Sequence, residues 1–110
     1  MMIRSLSAFC CFAAPVLAEP PDIVGVEMSG SRVSVTLAHP DTGWDDYADG
    51  WRIESGSGAV IGTWELLHPH VDEQPFTRSL TVSDPPDGPL FIHAKCSVDG
   101  WSDTRIALRP

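Results

Sequence analysis

Hydrophobic and polar side chains alternate along seven short stretches of the chain, a pattern typical of β-strands with one buried face. The clearest stretch is Arg32 to His39, in which Val33, Val35 and Leu37 are predicted to face inward. The seven predicted strands cover residues 23–28, 32–39, 51–53, 59–67, 76–82, 90–98 and 104–108. Elsewhere the alternation predicts inward positions at Val24, Val26, Met28, Val60, Trp64, Leu66, Phe76, Leu80, Val82, Leu90, Ile92, Ala94, Cys96, Val98, Ile106 and Leu108.

Turn signals separate these stretches about every ten residues, as in all-β domains. They include Ser29-Gly30-Ser31 and the proline-rich segment 84–89. Beyond residue 18, glycine or proline interrupts every window long enough to hold a helical period. The sequence therefore predicts an all-β fold, a seven-stranded antiparallel β-sandwich in which the first two strands form a hairpin.

The segment 90–102 alternates around an inward Ala94 and ends in a turn with Gly100 and Ser102. It resembles the last hairpin of fibronectin type III domains, although residues 32–38 lack the tryptophan usual in the second strand of that family. The resemblance implies a fibronectin III-like or immunoglobulin-like sandwich and a role in binding or spacing. Segments 39–51 and 68–76 are also similar to small secreted bacterial proteins that are themselves uncharacterised.

Residues 1–18 have the features of an export signal. Arg4 precedes an apolar run from Leu6 to Leu17, and Ala18 ends a stretch acceptable to signal peptidase. The run is too short to cross a bilayer, which needs roughly 20 apolar residues. We therefore expect cleavage after Ala18, a single domain over residues 19–110, no stable membrane anchor after cleavage, and location in the periplasm or outside the cell.

The predicted mature chain is acidic, with six Lys and Arg against fifteen Asp and Glu. This charge excludes nucleic acid as a partner, because such binding needs cationic side chains on the phosphates. Cys96 is the one cysteine left after removal of the signal. Its place in an apolar alternation favours a buried, inert thiol over pairing between chains.

His68-Pro69-His70 is the most distinctive short motif. In an extended segment His68 and His70 project to the same side, and Glu73 follows closely. Two imidazoles and a carboxylate are ligand types that Cu²⁺ and Zn²⁺ accept, with His39 or His93 as a candidate fourth ligand. The alternative is a rigid loop in which the histidines bond to the backbone.

Trp44 and Trp101 fall in predicted loops, where an exposed indole can anchor a peptide or a sugar ring. The alternative is that each ring covers an open end of the sandwich. Four acids, Asp41, Asp45, Asp46 and Asp49, surround Trp44 without the spacing of a calcium loop, so we expect them to be solvated turn residues.

No catalytic residues can be assigned from the sequence. His93 and Cys96 are three residues apart on one strand, so they point to opposite faces of the sheet. No serine lies in a Gly-x-Ser-x-Gly turn. We expect a non-enzymatic exported module that binds an unknown protein or glycan and needs no cofactor, with a copper- or zinc-binding protein as the alternative.

Overall fold

The computed structural model describes residues 19–109, so the predicted export signal lies outside the described residues. Within this range the chain forms β-strands and loops and no helix. Accordingly, none of the described residues belong to a helix that is long and apolar enough to span a membrane. The strands are β1 (Asp22–Ser29), β2 (Arg32–Ala38), β3 (Ala48–Ser55), β4 (Val60–Glu65), β5 (Phe76–Thr81), β6 (Leu90–Cys96), β7 (Gly100–Trp101) and β8 (Ile106–Arg109).

The strands form two antiparallel sheets, which confirms the prediction of an all-β sandwich. One sheet has the order β1-β2-β5, and the other has the order β4-β3-β6 with β7 and β8 both paired to the far edge of β6. The predicted hairpin of the first two strands is present. Because β4 pairs with β3, it does not join the sheet of the first, second and fifth strands as in constant immunoglobulin domains.

The described part of the chain has eight strands, so the predicted count of seven is wrong. The extra strand is β7, which pairs with Lys95 and Cys96, whereas β8 pairs further along β6 with residues 90–92. The two form one edge strand that is interrupted at residues 102–105. The Ser102 amide still donates to the Ala94 carbonyl of β6 at 2.9 Å, and strand pairing is lost in the bend that follows, where Ser102 Oγ donates to the Thr104 carbonyl at 2.8 Å.

The inner faces of the sheets form one hydrophobic core. Trp51 and Ile53 of β3 and Ile92 and Ala94 of β6 are fully buried against Val33, Val35 and Leu37 of β2. The alternation in β2 and β6 is therefore as predicted. Burial of such side chains, at roughly 25 cal/mol per Å² of apolar area, is the main stabilising term of the fold.

Two β-bulges change which side chains reach this core. In β1 the register shifts between Ile23 and Gly25, so Ile23, Val26 and Met28 pack inward while Val24 is 55% exposed. The predicted inward position of Val24 is wrong because an extra residue in one strand reverses the facing of its neighbours.

The second bulge lies opposite the Ile53–Glu54 step of β3. It turns Ile61 toward the core and leaves Val60 51% exposed, which corrects the prediction for Val60. Val98 and Ile106 are also exposed rather than inward, because Val98 lies in the turn beyond β6 and Ile106 opens the interrupted edge strand.

Three connections meet at one end of the sandwich. The β2–β3 connection (39–47), the β4–β5 connection (66–75) and the β6–β7 turn (97–99) all lie at the end where β2, β4 and β6 finish. We call these three segments the loop end. It contains His39, His68, His70, Glu73 and Trp44, five of the residues for which the sequence suggests a function.

We predict that, because of the bulge in β1, substitution of Val26 lowers the stability of the fold more than substitution of Val24. Val26→Ala should lower the free energy of unfolding by about 1–2 kcal/mol, because part of a packed side chain is lost. Val24→Ala should change it by less than about 0.5 kcal/mol, because this side chain is mainly in solvent. Urea unfolding of both variants measures the difference, and equal losses would contradict the bulge.

Candidate functional site

A buried carboxylate organises the loop end. Asp41 Oδ1 accepts hydrogen bonds from His39 Nδ1 at 2.6 Å and from the Ala48 amide at 3.0 Å, and Asp41 Oδ2 accepts one from the His70 amide at 2.7 Å. Its side chain is completely shielded from solvent. The prediction that Asp41 is a solvated turn acid is therefore wrong, because three donors replace the water that this carboxylate loses.

Further hydrogen bonds join the three loops. Gln74 Oε1 accepts from the His39 amide at 2.9 Å, and Gln74 Nε2 donates to the His70 carbonyl at 2.8 Å. The Ser97 amide donates to the Tyr47 carbonyl at 2.8 Å, and Ser97 Oγ accepts from the Tyr47 amide at 3.1 Å. The loop end is thus held by hydrogen bonds from each of its segments, of which those of Asp41 are buried.

A group of candidate metal ligands lies next to this carboxylate. Within residues 19–109, the three-residue group whose ligand atoms all approach within 4.8 Å of one another is His39, Asp46 and Cys96. His39 Nε2 and Asp46 Oδ1 are 3.7 Å apart, and both are buried atoms without a hydrogen-bond partner. Cys96 is 1% exposed, as expected for a buried thiol.

The His-Pro-His motif has a different arrangement from the one its sequence suggests. The rings of His68 and His70 do lie on one side, with centroids 4.7 Å apart. Arg78, however, donates to His70 Nε2 at 2.9 Å and to Glu73 Oε1 at 3.4 Å. The guanidinium thus holds two of the three predicted ligands, and His68 Nδ1 contacts the Pro69 carbonyl at 3.0 Å.

His70 is a buried, neutral histidine in this setting. Its ring stacks on Phe76 with centroids 4.0 Å apart, and its Nδ1 has no partner. Burial lowers the pKa of His70 below its usual value, and the nearby charges of Arg78 and His68 lower it further against the opposing effect of Glu73 and Asp41. The donation from Arg78 to Nε2 requires the same neutral form.

A small surface pocket of about 150 Å³ opens beside the motif. It combines an apolar wall with one basic and one acidic side chain and is lined by Trp64, Glu65, Leu66, Leu67, His68, His70 and Arg78. A space of this size can hold only a few non-hydrogen atoms, well below the 300–1,000 Å³ of most ligand sites. It therefore suits a single side chain of a partner better than a free metabolite.

The two candidate tryptophans differ. Trp44 is 66% exposed and contacts only the edge of Tyr47 among aromatic rings of the described chain, with centroids 5.5 Å apart. Trp101 lies on the outer face of the larger sheet, where the Arg52 guanidinium carbon is 3.8 Å from its ring centroid and His93 is 5.0 Å away. Trp44 is therefore available as an anchor, whereas Trp101 is largely occupied within its own chain.

His93 belongs to this outer face and not to the loop end. Its Nδ1 lies 2.8 Å from Glu54 Oε2 and its Nε2 lies 2.6 Å from the Ser102 carbonyl. Burial alone would raise the pKa of Glu54, but hydrogen bonds from His93, Arg52 and Arg105 outweigh it and hold that pKa below its usual value. His93 is thus engaged in an ion-pair network on the outside of the sheet.

Exposed apolar side chains gather at the loop end. Within residues 19–109, four of the seven large hydrophobic side chains with strong exposure belong to it, and the others lie on strands. They are Trp44 (66%), Leu67 (77%), Val71 (51%) and Val98 (54%). Single exposed apolar side chains are common, but a set confined to one end of a domain is typical of an interaction surface.

Cys96, His39 and Asp41 lie next to one another in space, and they are the residue types of a catalytic nucleophile, its base and the acid that orients the base. The sequence does not indicate this proximity, because 57 residues separate His39 from Cys96. Cys96 and His39 are only 1% and 3% exposed, so a substrate has no access to either.

The chain is similar to a "Putative lipoprotein" of Halomicrobium mukohataei, with 46% identity over 65 residues. The match covers 56% of this chain and 32% of the relative, so the chain corresponds to about a third of that protein's length. No protein-family model and no solved structure matches the chain.

We predict that His70 makes the fold sensitive to mild acid. The unfolded chain protonates this histidine at its ordinary pKa, whereas the folded chain does so only at lower pH, so the unfolded state binds more protons between the two values. Stability should therefore fall as the pH drops through the ordinary histidine pKa, and level off below the folded pKa. Chemical unfolding of the protein between about pH 7.5 and 5 measures this slope.

His70→Gln should flatten the slope, since glutamine keeps an acceptor for Arg78 but does not titrate. His68→Gln is the matched control, because it removes the neighbouring histidine, which is exposed. If His70→Gln keeps the slope of the unmodified protein, the assignment of acid sensitivity to His70 is wrong.

Proposed function

We propose that this chain is an exported, non-catalytic binding module whose loop end contacts a protein partner. The observation that carries the proposal is the gathering of Trp44, Leu67, Val71 and Val98 at that end. Tryptophan is among the residues that most often dominate the energy of protein interfaces, because its large ring can be buried with little loss of side-chain entropy.

Acidic side chains around these apolar groups indicate the chemistry of the partner. Asp45, Asp72, Glu73 and Asp99 are exposed in the same three loops. A partner with an apolar centre and a basic rim would be complementary, since opposite charges at a rim accelerate association and exclude wrong partners. The small pocket beside His70 would then accept one side chain of that partner.

The contacts of Asp41 and Gln74 support a binding role because they order the loops in advance. Loops that are already fixed lose less conformational entropy on association, which leaves more of the contact energy for affinity. The His70 amide, next to the exposed Val71, donates to Asp41, and Ser97, next to the exposed Val98, is hydrogen-bonded to Tyr47.

Separate observations support the export and the non-catalytic role in this proposal. The first 18 residues have the composition of an export signal, and the matched relative carries a lipoprotein description. The arrangement of Cys96, His39 and Asp41 is closed to substrates. Together these favour a role in the periplasm or outside the cell that depends on surface contacts.

A fibronectin III-like identity of the sandwich is part of the proposal. The pairing of β4 with β3 supports it over a constant immunoglobulin arrangement, in which the fourth strand lies in the other sheet. Trp51, which is fully buried on β3, matches instead the strand that carries the core tryptophan in immunoglobulin domains, so the proposal extends to an immunoglobulin-like sandwich.

The alternative is a copper or zinc protein that uses His68, His70 and Glu73. The proximity of the two histidine rings supports this role. Metal binding through His70 Nε2 and Glu73 Oε1 would displace Arg78, because a guanidinium and a metal ion cannot share the same lone pair. The interaction role needs no such rearrangement and is therefore preferred.

A peptide array tests the binding role. It presents apolar segments flanked by Lys and Arg, the same segments flanked by Asp and Glu, and a parallel set of glycans. We expect binding to the basic-flanked peptides, weakened by about 0.5 M salt since the rim charges are screened. Trp44→Ser should weaken binding by at least about tenfold, as for a central interface residue.

Val71→Ser and Val60→Ser form a matched pair, because both valines are 51% exposed but Val60 lies at the opposite end of the sandwich. Only Val71→Ser should weaken binding. Equal effects of the two substitutions, or binding confined to the glycans, would contradict a protein-binding loop end.

A further inference from the structure

Two acceptor atoms face each other in the interior of the loop end. Asp41 Oδ1 lies 2.6 Å from His39 Nδ1, so in the tautomer that donates to Asp41 the other ring nitrogen, Nε2, presents a lone pair. His39 Nε2 lies 3.7 Å from Asp46 Oδ1, and neither atom has a hydrogen-bond partner. Two buried acceptors in this position repel each other unless a cation or a proton lies between them.

We propose that His39, Asp46 and Cys96 bind a Zn²⁺ ion. Nitrogen, oxygen and sulfur donors of these three types are those that zinc takes in proteins. A thiolate and an imidazole together exclude Ca²⁺ and Mg²⁺, which take oxygen ligands. The proposal concerns a different set of ligands from His68, His70 and Glu73 and does not depend on the binding role of the loop end.

The geometry of the three donors suits a tetrahedral ion. With Zn–N and Zn–O distances of about 2.0–2.1 Å and a Zn–S distance of about 2.3 Å, tetrahedral donors lie roughly 3.3–3.6 Å apart. The separation of 3.7 Å between His39 Nε2 and Asp46 Oδ1 is close to this value, and all three ligand atoms lie within 4.8 Å of one another. Side-chain shifts of about 1 Å or less would complete the coordination.

The surroundings of the ligands have the features of a metal site. Asp41 holds His39 through Nδ1, and it is itself fixed by the amides of Ala48 and His70, as in the carboxylate–histidine–zinc arrangement. The Asp99 amide donates to Cys96 Sγ at 3.3 Å, so the sulfur is held in place from the β6–β7 turn. Asp41 is a positioning residue and not a ligand, because donors already engage both of its oxygens.

Asp46 provides the route for the ion and for a fourth ligand. Its side chain is 22% exposed, whereas that of His39 is shielded completely. Asp46 Oδ1 itself is buried, so a small movement of this partly exposed side chain would admit the ion and a water molecule for the fourth position. Deprotonation of the Cys96 thiol releases one proton to solvent when the ion binds.

Such an ion would connect the two sheets. His39 directly follows β2 of the smaller sheet, and Cys96 ends β6 of the larger one. Antibody domains join their second and sixth strands by a disulfide, and Cys96 has no cysteine with which it could form one within residues 19–109. The ion would provide a cross-link between the same two strands, and through Asp46 it would also hold the β2–β3 loop against them.

The test measures thermal unfolding of the purified, reduced protein after chelator treatment and after addition of Zn²⁺. We expect Zn²⁺ at about a hundredfold excess over its Kd to raise the midpoint by at least about 5 °C. Asp46→Asn, which keeps the shape of the side chain, and Cys96→Ala should abolish the rise. Asp45→Asn is the matched control, because it removes one charge from the neighbouring exposed residue and should retain the rise.

Co²⁺ in place of Zn²⁺ gives a second readout that does not depend on stability. The unmodified protein should show an intense near-ultraviolet thiolate-to-cobalt band, which remains in Asp45→Asn and His68→Ala. If Cys96→Ala does not fold, the cobalt band of the unmodified protein and the response of Asp46→Asn still test whether these residues bind the ion. The proposal is overturned if Zn²⁺ leaves the midpoint unchanged, if Asp46→Asn responds like Asp45→Asn, or if His68→Ala is the variant that loses binding.

Discussion

The buried carboxylate of Asp41 is the constraint on which the loop end depends. A carboxylate without water is costly unless donors surround it, and here the donors come from His39, Ala48 and His70. These residues lie at the end of β2, at the start of β3 and in the β4–β5 connection. The three segments must therefore come together so that both oxygens of Asp41 are hydrogen-bonded. Loss of a donor would leave part of this buried carboxylate without a hydrogen bond.

This constraint divides the loop end into a polar centre and an apolar surface. The centre holds Asp41, His39 and Gln74, which join the loops through hydrogen bonds. The surface carries Trp44 and Leu67, which are mostly exposed. An ordered centre lowers the entropic cost of binding at the surface, and it also holds His39 Nε2 in the direction of Asp46 and Cys96. One carboxylate thus supports both proposed roles.

On the outer face of the larger sheet, donors likewise surround a buried carboxylate, that of Glu54. Glu54 is buried there by Arg52, His93 and Arg105, and these donors keep its carboxylate ionised. Arg52 also stacks on the Trp101 ring, so one face of this ring is covered within the chain. Because the cations of this face already have partners in the chain, the face stabilises the sheet, and the contrast with the uncovered Trp44 favours the loop end as the site of interaction.

The sequence by itself determined the fold class, most strand positions and the burial of Cys96, because alternation with period two depends only on neighbours along the chain. It failed at Val24 and Val60, where a bulge adds one residue and reverses the facing. It also placed Asp41 in solvent and directed attention to His68 and His70. Only the tertiary structure brought His39 to Cys96, across 57 residues of sequence, and placed Arg78 against His70. Contacts between segments that are distant along the chain leave no local pattern, so only the packing of the two sheets decides them.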